Sequence, residues 1–525
     1  TFMNSTTSSP RQIEKVSSDN QVIGFDLFSQ LTYMSILARG GVGRDRLLEY
    51  CGRQKFVTAV FFEYINLMAR SMGVEYTRAF QAVAQKAKAP RIKSLLLRFS
   101  ASISSGSSES DFVLSETRSE GEHYRNDYER NVENLRKWTD AYAAVLVAVT
   151  LIMVVSQVSS LLGSTSESFI YLMLFTLTGV TSVGVYLIYK VAPYERFTYD
   201  PVSGATRDRK ISRFLALILG PAAFAVGMLL FFVLTSNDIS PVRSSSAVFI
   251  LLGIALLPSG YLASRDATRV NKIDEELPMF LRAIGSIAGS AGVTLTESLR
   301  RIDSASYQHL RLPLERLRTR LESGLPSTES WETFNRETGS ELAARTTGMF
   351  VDGVEVGCDP AQIGEICSDY AQNITELRAK RKLTSSTFSF LTLTMNLVMA
   401  FILVFVLEII INFNSKLNEV VSGESTMVTA EFEAPTGLTA PPGLNIPQTQ
   451  DLSSGLDVFQ MTNMGSLQYT IIFAVAILTI ANSLAPKFSE GGNNLRIISY
   501  LSSTSLCSGI VLLIVPPITK ALLSV

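Results

Sequence analysis

Apolar residues gather in seven long runs, at about residues 141–162, 168–190, 213–235, 244–264, 387–413, 468–486 and 497–519, each free of Lys and Arg except at an end. A helix crossing a bilayer core needs roughly 20 apolar residues, because its backbone polar groups must be satisfied within the span. The runs therefore predict seven transmembrane helices, the last weakened by Ser499, Ser502, Ser503, Ser505 and Ser508. Two polar blocks, residues 21–140 and 265–386, separate the runs, and each is long enough for a domain. In the second, Ile363, Ile366, Tyr370, Ile374 and Leu377 recur every three or four residues, the spacing of one buried helix face. The expected fold is all-α: a polytopic membrane protein with two helical-bundle domains.

Basic residues beside the spans set the orientation, since cytoplasmic flanks carry the excess of Lys and Arg. Lys190, Arg196, Arg207, Arg209, Lys210 and Arg213 lie between the second and third runs, and Arg378, Lys380, Arg381 and Lys382 precede the fifth. With both groups inside, only Arg243, Lys416 and Lys520 of the 46 basic residues fall outside. This predicts a cell-membrane protein with a cytoplasmic N-terminus. The expected order is a disordered tail, 1–20; a first bundle, 21–140; four spans, 141–264, with a basic cytoplasmic loop, 191–212; a second bundle, 265–386; a span, 387–413; an acidic Pro/Gly/Thr-rich outer loop, 414–467, which reads best as a linker; and two spans within 468–525. The Ser/Thr-rich tail lacks the charged-then-apolar pattern of a secretory signal.

The blocks are repeats. At an offset of 251 residues, Ser35 falls on Ser286, Ile36 on Ile287, Gly41 on Gly292, Leu48 on Leu299, Gly73 on Gly324, Phe80 on Trp331, Phe99 on Phe350, Ile103 on Val354 and Gly106 on Gly357. Glycines between matched apolar positions imply duplicated turns in which Gly ends one helix and permits the reversal into the next. Helix starts are also legible, at Asp359-Pro360 with Gln362, and at Thr294 with Glu297 as a capping box.

Composition removes several function classes. Charged residues are 18% of the chain, against roughly a quarter in soluble proteins, and the net charge is −1, which excludes a globally basic nucleic-acid binder. Cys51, Cys358, Cys367 and Cys507, with His123 and His309, are too few and too scattered for a disulfide framework or a metal site, so free thiols and no cofactor are expected. No Walker A sequence, Gly-x-Ser-x-Gly elbow or His-Glu-x-x-His occurs. The chain reads as a non-enzyme.

The second block carries Leu277-Pro278-Met279-Phe280-Leu281-Arg282, then Gly292-Val293-Thr294-Leu295 through Leu299, then Gly324, and Gly357 ahead of a charged helix ending Arg378-Ala379-Lys380-Arg381-Lys382. These residues resemble the type II secretion F-domain superfamily, the platform proteins of type IV pilus, type II secretion and archaellum machines. Two such blocks with seven spans look most like its archaeal form. The first block is more divergent, with no counterpart to the Leu-Pro start. The resemblance implies a platform on which a hexameric cytoplasmic secretion ATPase docks, and which couples that motion to insertion of pilin- or archaellin-like subunits from the membrane. The bundles would tilt or rotate as near-rigid bodies.

Arg378, Lys380, Arg381 and Lys382, with Arg207, Arg209 and Lys210, are the candidate dock for an acidic ATPase surface; cationic flanks also fix topology and bind anionic lipid. Glu408 sits about 7 Å from the outer end of its span, close enough to reach the interface. Asn396 and Asn482 are expected to bond neighbouring helices. Gly285 and Gly289 share a helix face, read as tight packing within the bundle rather than a homodimer seam, although a homodimer remains a candidate partner. Pro221, Pro258 and Pro516-Pro517 kink their spans unless neighbours compensate. The rival reading is a secondary transporter with large cytoplasmic domains, disfavoured because the repeat lies in polar segments and the spans are nearly free of charge.

Overall fold

The computed structural model describes residues 20–160, 167–199, 206–237, 239–431 and 464–523. Among these residues there are sixteen α-helices and no strand, the one isolated bridge being Thr198 with Ser340. The first repeat comprises α1 (Asn20–Arg39), α2 (Arg44–Arg53), α3 (Ala59–Met72), α4 (Tyr76–Lys86), α5 (Pro90–Ser105) and α6 (Glu109–Ser160). Helices α7 (Glu167–Val191), α8 (Arg207–Ser236) and α9 (Pro241–Ala291) follow. The second repeat begins in the C-terminal part of α9 and continues through α10 (Leu295–Arg301), α11 (Arg311–Glu322), α12 (Ser327–Thr338), α13 (Glu341–Glu355) and α14 (Pro360–Glu431), before α15 (Met464–Glu490) and α16 (Arg496–Leu523).

Shifted by 251, α2 to α6 land on α10 to α14 to within three residues at their starts, and α1 lands on the end of α9. The turn glycines coincide in conformation as well. Gly41 and Gly292 have φ of 70° and 58°, Gly73 and Gly324 66° and 77°, and Gly106 and Gly357 69° and 96°, all in the left-handed region that a side chain strains. The capping box at Thr294 is half formed: its hydroxyl accepts from Glu297 N at 3.4 Å, while the Glu297 carboxylate turns to Arg301. Asp359 Oδ1 accepts from Ala361 N at 3.1 Å, opening α14.

Seven helices, α6, α7, α8, α9, α14, α15 and α16, are long and apolar enough to cross a membrane, one for each apolar run. Helices α6, α9 and α14 run unbroken from the polar block into the span, over 52, 51 and 72 residues. Helices α8, α9 and α16 also continue through Pro221, Pro258 and Pro516-Pro517. The segment expected to loop from 414 stays helical to Glu431, through Gly423, and contains no proline before Pro435. Residues 1–19 and 432–463 lie outside the described residues.

The serines that weaken the last run as a sequence signal are its packing groups. Ser502 and Ser505 of α16 donate to the Gly253 and Phe249 carbonyls of α9, both at 2.8 Å. The backbones approach closely there, since a Cβ on Gly253, Gly260 or Gly509 would lie under 3.0 Å from the facing helix. Small and hydroxyl residues replace hydrophobic contrast as the adhesive between helices in lipid.

The two polar blocks share one hydrophobic core rather than enclosing two, with Leu31, Tyr33, Phe61 and Phe99 of the first in the same cluster as Phe280, Phe334, Phe350 and Tyr370 of the second. At their boundary Arg345 Nη2 meets Asp26 Oδ1 at 2.8 Å, each side chain 4% exposed, and Arg345 Nη1 donates to Ser29 Oγ at 2.9 Å. Ser29 Oγ also bonds Tyr370 Oη at 2.7 Å, and Asp352 accepts from Tyr33 and Gln54 at 2.9 and 3.1 Å. Helices α6 and α14 cross with equivalent positions face to face: Arg125 pairs with Glu376 at 3.1 Å and Glu129 with Lys380 at 2.5 Å, each partner 251 residues away. Identical repeats would oppose like charges at such positions; the opposite signs make this pairing specific.

Glu120 of α6 stands roughly 30 Å along the helix before the span begins. It is 8% exposed, and burial raises its carboxyl to about 7, with Arg91, 3.5 Å away, opposing the rise. A folded-state value above the unfolded one means the native protein holds an extra proton between about pH 4.5 and 7, so this site costs stability as pH rises through that window. E120Q should therefore raise stability at pH 8, by up to about 3 kcal/mol, and change little at pH 4. Thermal unfolding of both proteins across pH 4–8 tests this; parallel curves would contradict it.

Candidate coupling site at the junction of core and spans

Residues 192–199, between α7 and α8, form a strap laid across the junction between shared core and spans. Ala192 packs against the apolar cluster of the spans, and the polar ties of the strap are made by arginines or by backbone. Arg378 of α14 donates from Nε to Glu195 and from Nη1 to Asp274 of α9, both at 2.5 Å, and its guanidinium lies 5.0 Å from the centroid of the Phe197 ring. The Ser340 hydroxyl donates to Asp274 while capping α13, accepting from Ala343 N at 3.1 Å. Backbone bonds from Tyr199 N to Gly339 O, 3.0 Å, and from Glu341 N to Phe197 O, 3.3 Å, fasten the strap to the second repeat.

Arg381, one turn on, is a clamp made almost wholly of carbonyls. It donates to Ser489 O at 2.9 Å and Phe488 O at 3.2 Å at the end of α15, and to Pro193 O at 2.7 Å at the start of the strap. A Cβ on Gly491, whose φ is 75°, would sit 2.6 Å from the Arg381 guanidinium, so glycine serves both conformation and space there. Arg209 closes the other end of the linker. It is 1% exposed and meets Asp266 of α9 at 3.0 Å, with Thr206 on the second carboxylate oxygen at 2.9 Å.

The seven basic residues expected to form one dock are thus divided. Arg209, Arg378 and Arg381 are consumed inside the junction, whereas Arg207, Lys210, Lys380 and Lys382 are exposed, Lys380 paired with Glu129. All three buried members are arginines, whose planar fork of five donors can bridge several acceptors at once and is weakly hydrated; a lysine ammonium loses more on burial. That distinction was available in the sequence and was the missed signal. Glu195, Asp266 and Asp274 were also missed, the first two being single acids beside basic residues and the third the start of an acidic run, Asp274-Glu275-Glu276, that reads as a solvated face.

Inside the spans, Asn482 Nδ2 donates to Asn396 Oδ1 at 3.2 Å and Asn396 Nδ2 to Ser508 Oγ at 3.0 Å, joining α15, α14 and α16 as expected of these amides. Glu408 is 2% exposed and turned into the bundle, where Lys520 of α16 is the cation acting on it. Gly285 and Gly289 press against α14, where a Cβ would lie 2.6 Å from Pro360 O and 2.8 Å from Ala361 Cβ. Their stripe is used internally. Among the described residues no group of three His, Cys, Asp or Glu could hold a metal ion.

The arrangement is a set of mutual bonds among charged groups and carbonyls from which the long helices α9 and α14 run into the apolar spans. Residues 280–408, from the core into the fifth span, match the family model for type II secretion system (T2SS) protein F. Over 516 residues the chain is 21% identical to flagella accessory protein J of Methanococcus voltae, covering 97% of this chain and 88% of that one. It is also 21% identical over 469 residues to flagella accessory protein J of Methanocaldococcus jannaschii, covering 88% and 77%. No solved structure matches it. The chain is a multi-pass membrane protein with a segment, residues 280–408, that matches type II secretion system protein F, and it is similar along nearly its whole length to these archaeal flagella accessory proteins.

Proposed function

We propose that this protein is the membrane platform of an archaeal type IV filament assembly machine, archaellum or pilus, receiving force from a hexameric cytoplasmic secretion ATPase and passing it to pilin- or archaellin-like subunits in the bilayer. The observation that carries the reading is the duplicated core on unbroken helices, in a chain similar from end to end to flagella accessory proteins. Orientation follows the basic flanks, with the core and N-terminus in the cytoplasm.

The single shared core changes the mechanism from two bundles moving against each other to one body rocking on the membrane. Motion of one repeat past the other would break the buried Asp26–Arg345 pair, whereas tilting the whole core strains only the junction. Helices α6, α9 and α14 have no loop at the bilayer surface to absorb such a tilt.

The surface for the ATPase is then the exposed subset of basic residues. Charge reversal at Arg207, Lys210 and Lys382 should weaken ATPase association about tenfold, mainly through slower and more salt-sensitive binding, with normal membrane insertion. Arg381 is left out of this test because it holds three carbonyls. Pull-down at two salt concentrations measures the effect; equal recovery of variant and parent removes these residues as the dock. Loss of filaments on deleting the gene, restored by the parent chain, tests the function itself.

A further inference from the structure

We propose that the junction contains a binding cavity for a phosphate-type oxyanion, which staples the strap to the membrane bundle when occupied. A cavity of about 40 Å3 lies among the strap, α14 and the turn between α15 and α16. A space of 10–15 Å3 on this measure holds one water, so it has room for roughly three, about the size of one phosphate group. Its walls carry Arg378, Arg381, Lys382 and Arg496 against Glu195 and Glu490. Even with Asp274, which meets Arg378 from the other side, four cations face three carboxylates, and the buried Lys487 adds a fifth cation nearby.

An orphaned donor gives the cavity its direction. The Arg378 side chain is 9% exposed; Nε and Nη1 are bonded to carboxylates, but Nη2 is buried and meets no acceptor. A buried, unpaired guanidinium N–H is costly, and a charged oxygen acceptor removes that cost with a strong, charge-assisted bond. Lys382 supplies a second, unpaired cation from the rim. Planar guanidinium groups and an ammonium around a small void are the donor set for tetrahedral oxyanions.

A second space of about 360 Å3 adjoins the first, sharing Asn271, Arg378 and Lys382 in its walls. Its wall also carries Leu383, 72% exposed, one turn before the apolar run that begins at 387. A headgroup entering from the cytoplasmic leaflet would pass Leu383 and present its phosphate to Lys382 and Arg378. Free phosphate would reach the same donors from solution. This goes beyond general attraction of anionic lipid to cationic flanks, because it specifies one cavity and a stabilising bond across the junction. It does not depend on the platform reading.

The test uses the full-length protein. In detergent, inorganic phosphate at constant ionic strength should raise the melting temperature relative to chloride. In nanodiscs, phosphatidylglycerol should raise it relative to phosphatidylcholine, and native mass spectrometry should retain the anionic lipid. A response to lipid alone assigns the headgroup as ligand, and a response to both or to phosphate alone assigns the free ion as sufficient. K382A, which removes an exposed side chain and should fold normally, should weaken the response about tenfold in ligand concentration. No shift with either ligand overturns the proposal, as does an undiminished response in K382A.

Discussion

Replacing Arg345 by alanine is expected to destabilise the shared core by about 3–5 kcal/mol, because it leaves Asp26 buried at 4% exposure with its counter-charge gone. The loss extends beyond one pair. Arg345 also lies 4.4 and 4.9 Å from the ring centroids of Phe25 and Phe56 and donates to Ser29, so the boundary between the repeats loses a packed as well as a charged group. A double replacement, R345M with D26L, removes both charges while filling the space, and should recover most of the stability. Thermal unfolding in detergent reads both effects. If R345A unfolds within a degree or two of the parent, the repeats do not depend on each other as the shared core requires.

The second large effect is expected at Arg381. R381A deprives the Pro193, Phe488 and Ser489 carbonyls of their donor at once. A buried acceptor left unpaired costs about 1–3 kcal/mol, and water entering the junction will satisfy part of the loss, so a net destabilisation of about 2–4 kcal/mol is expected. R381K should be nearly as damaging, because one ammonium cannot reproduce a fork spanning three carbonyls on two segments. Proteolysis in the 192–206 linker should quicken. Under the proposed function both variants should insert and still bind the ATPase through Lys382, Arg207 and Lys210, yet grow few or no filaments. Normal filaments on cells carrying R381A would mean that force does not travel through this clamp.

These predictions separate two kinds of arginine that look alike along the chain. Arg207 and Arg209 are two residues apart, and Arg378 and Arg381 flank Lys380; cationic flanking residues are ordinarily solvated. The α14 helix turns Arg378 and Arg381 into the strap, Lys380 toward Glu129 of α6 and Lys382 to the exposed rim, and only the position of the strap makes Arg378 and Arg381 internal. Glu408 shows the same limit: its place along α14 is legible in the chain, but only the fold gives it Lys520 of α16, 112 residues away, as the cation acting on it.

The local layers of the structure were legible from the chain alone. Seven apolar runs of bilayer length, a 251-residue offset matching three glycine pairs, and helical periodicity in the polar blocks determined the spans, the duplication and the all-helical class, because these depend on spacing within one segment. The last run escaped full recognition because its serines lower hydropathy while serving as contacts. Only the tertiary structure decided that the two repeats share one core, that three of seven basic residues are buried ties, and that the strap crosses the junction. Burial and pairing are properties of what comes alongside a residue from far along the chain, and sequence spacing within a helix says which face a side chain is on without saying what that face meets.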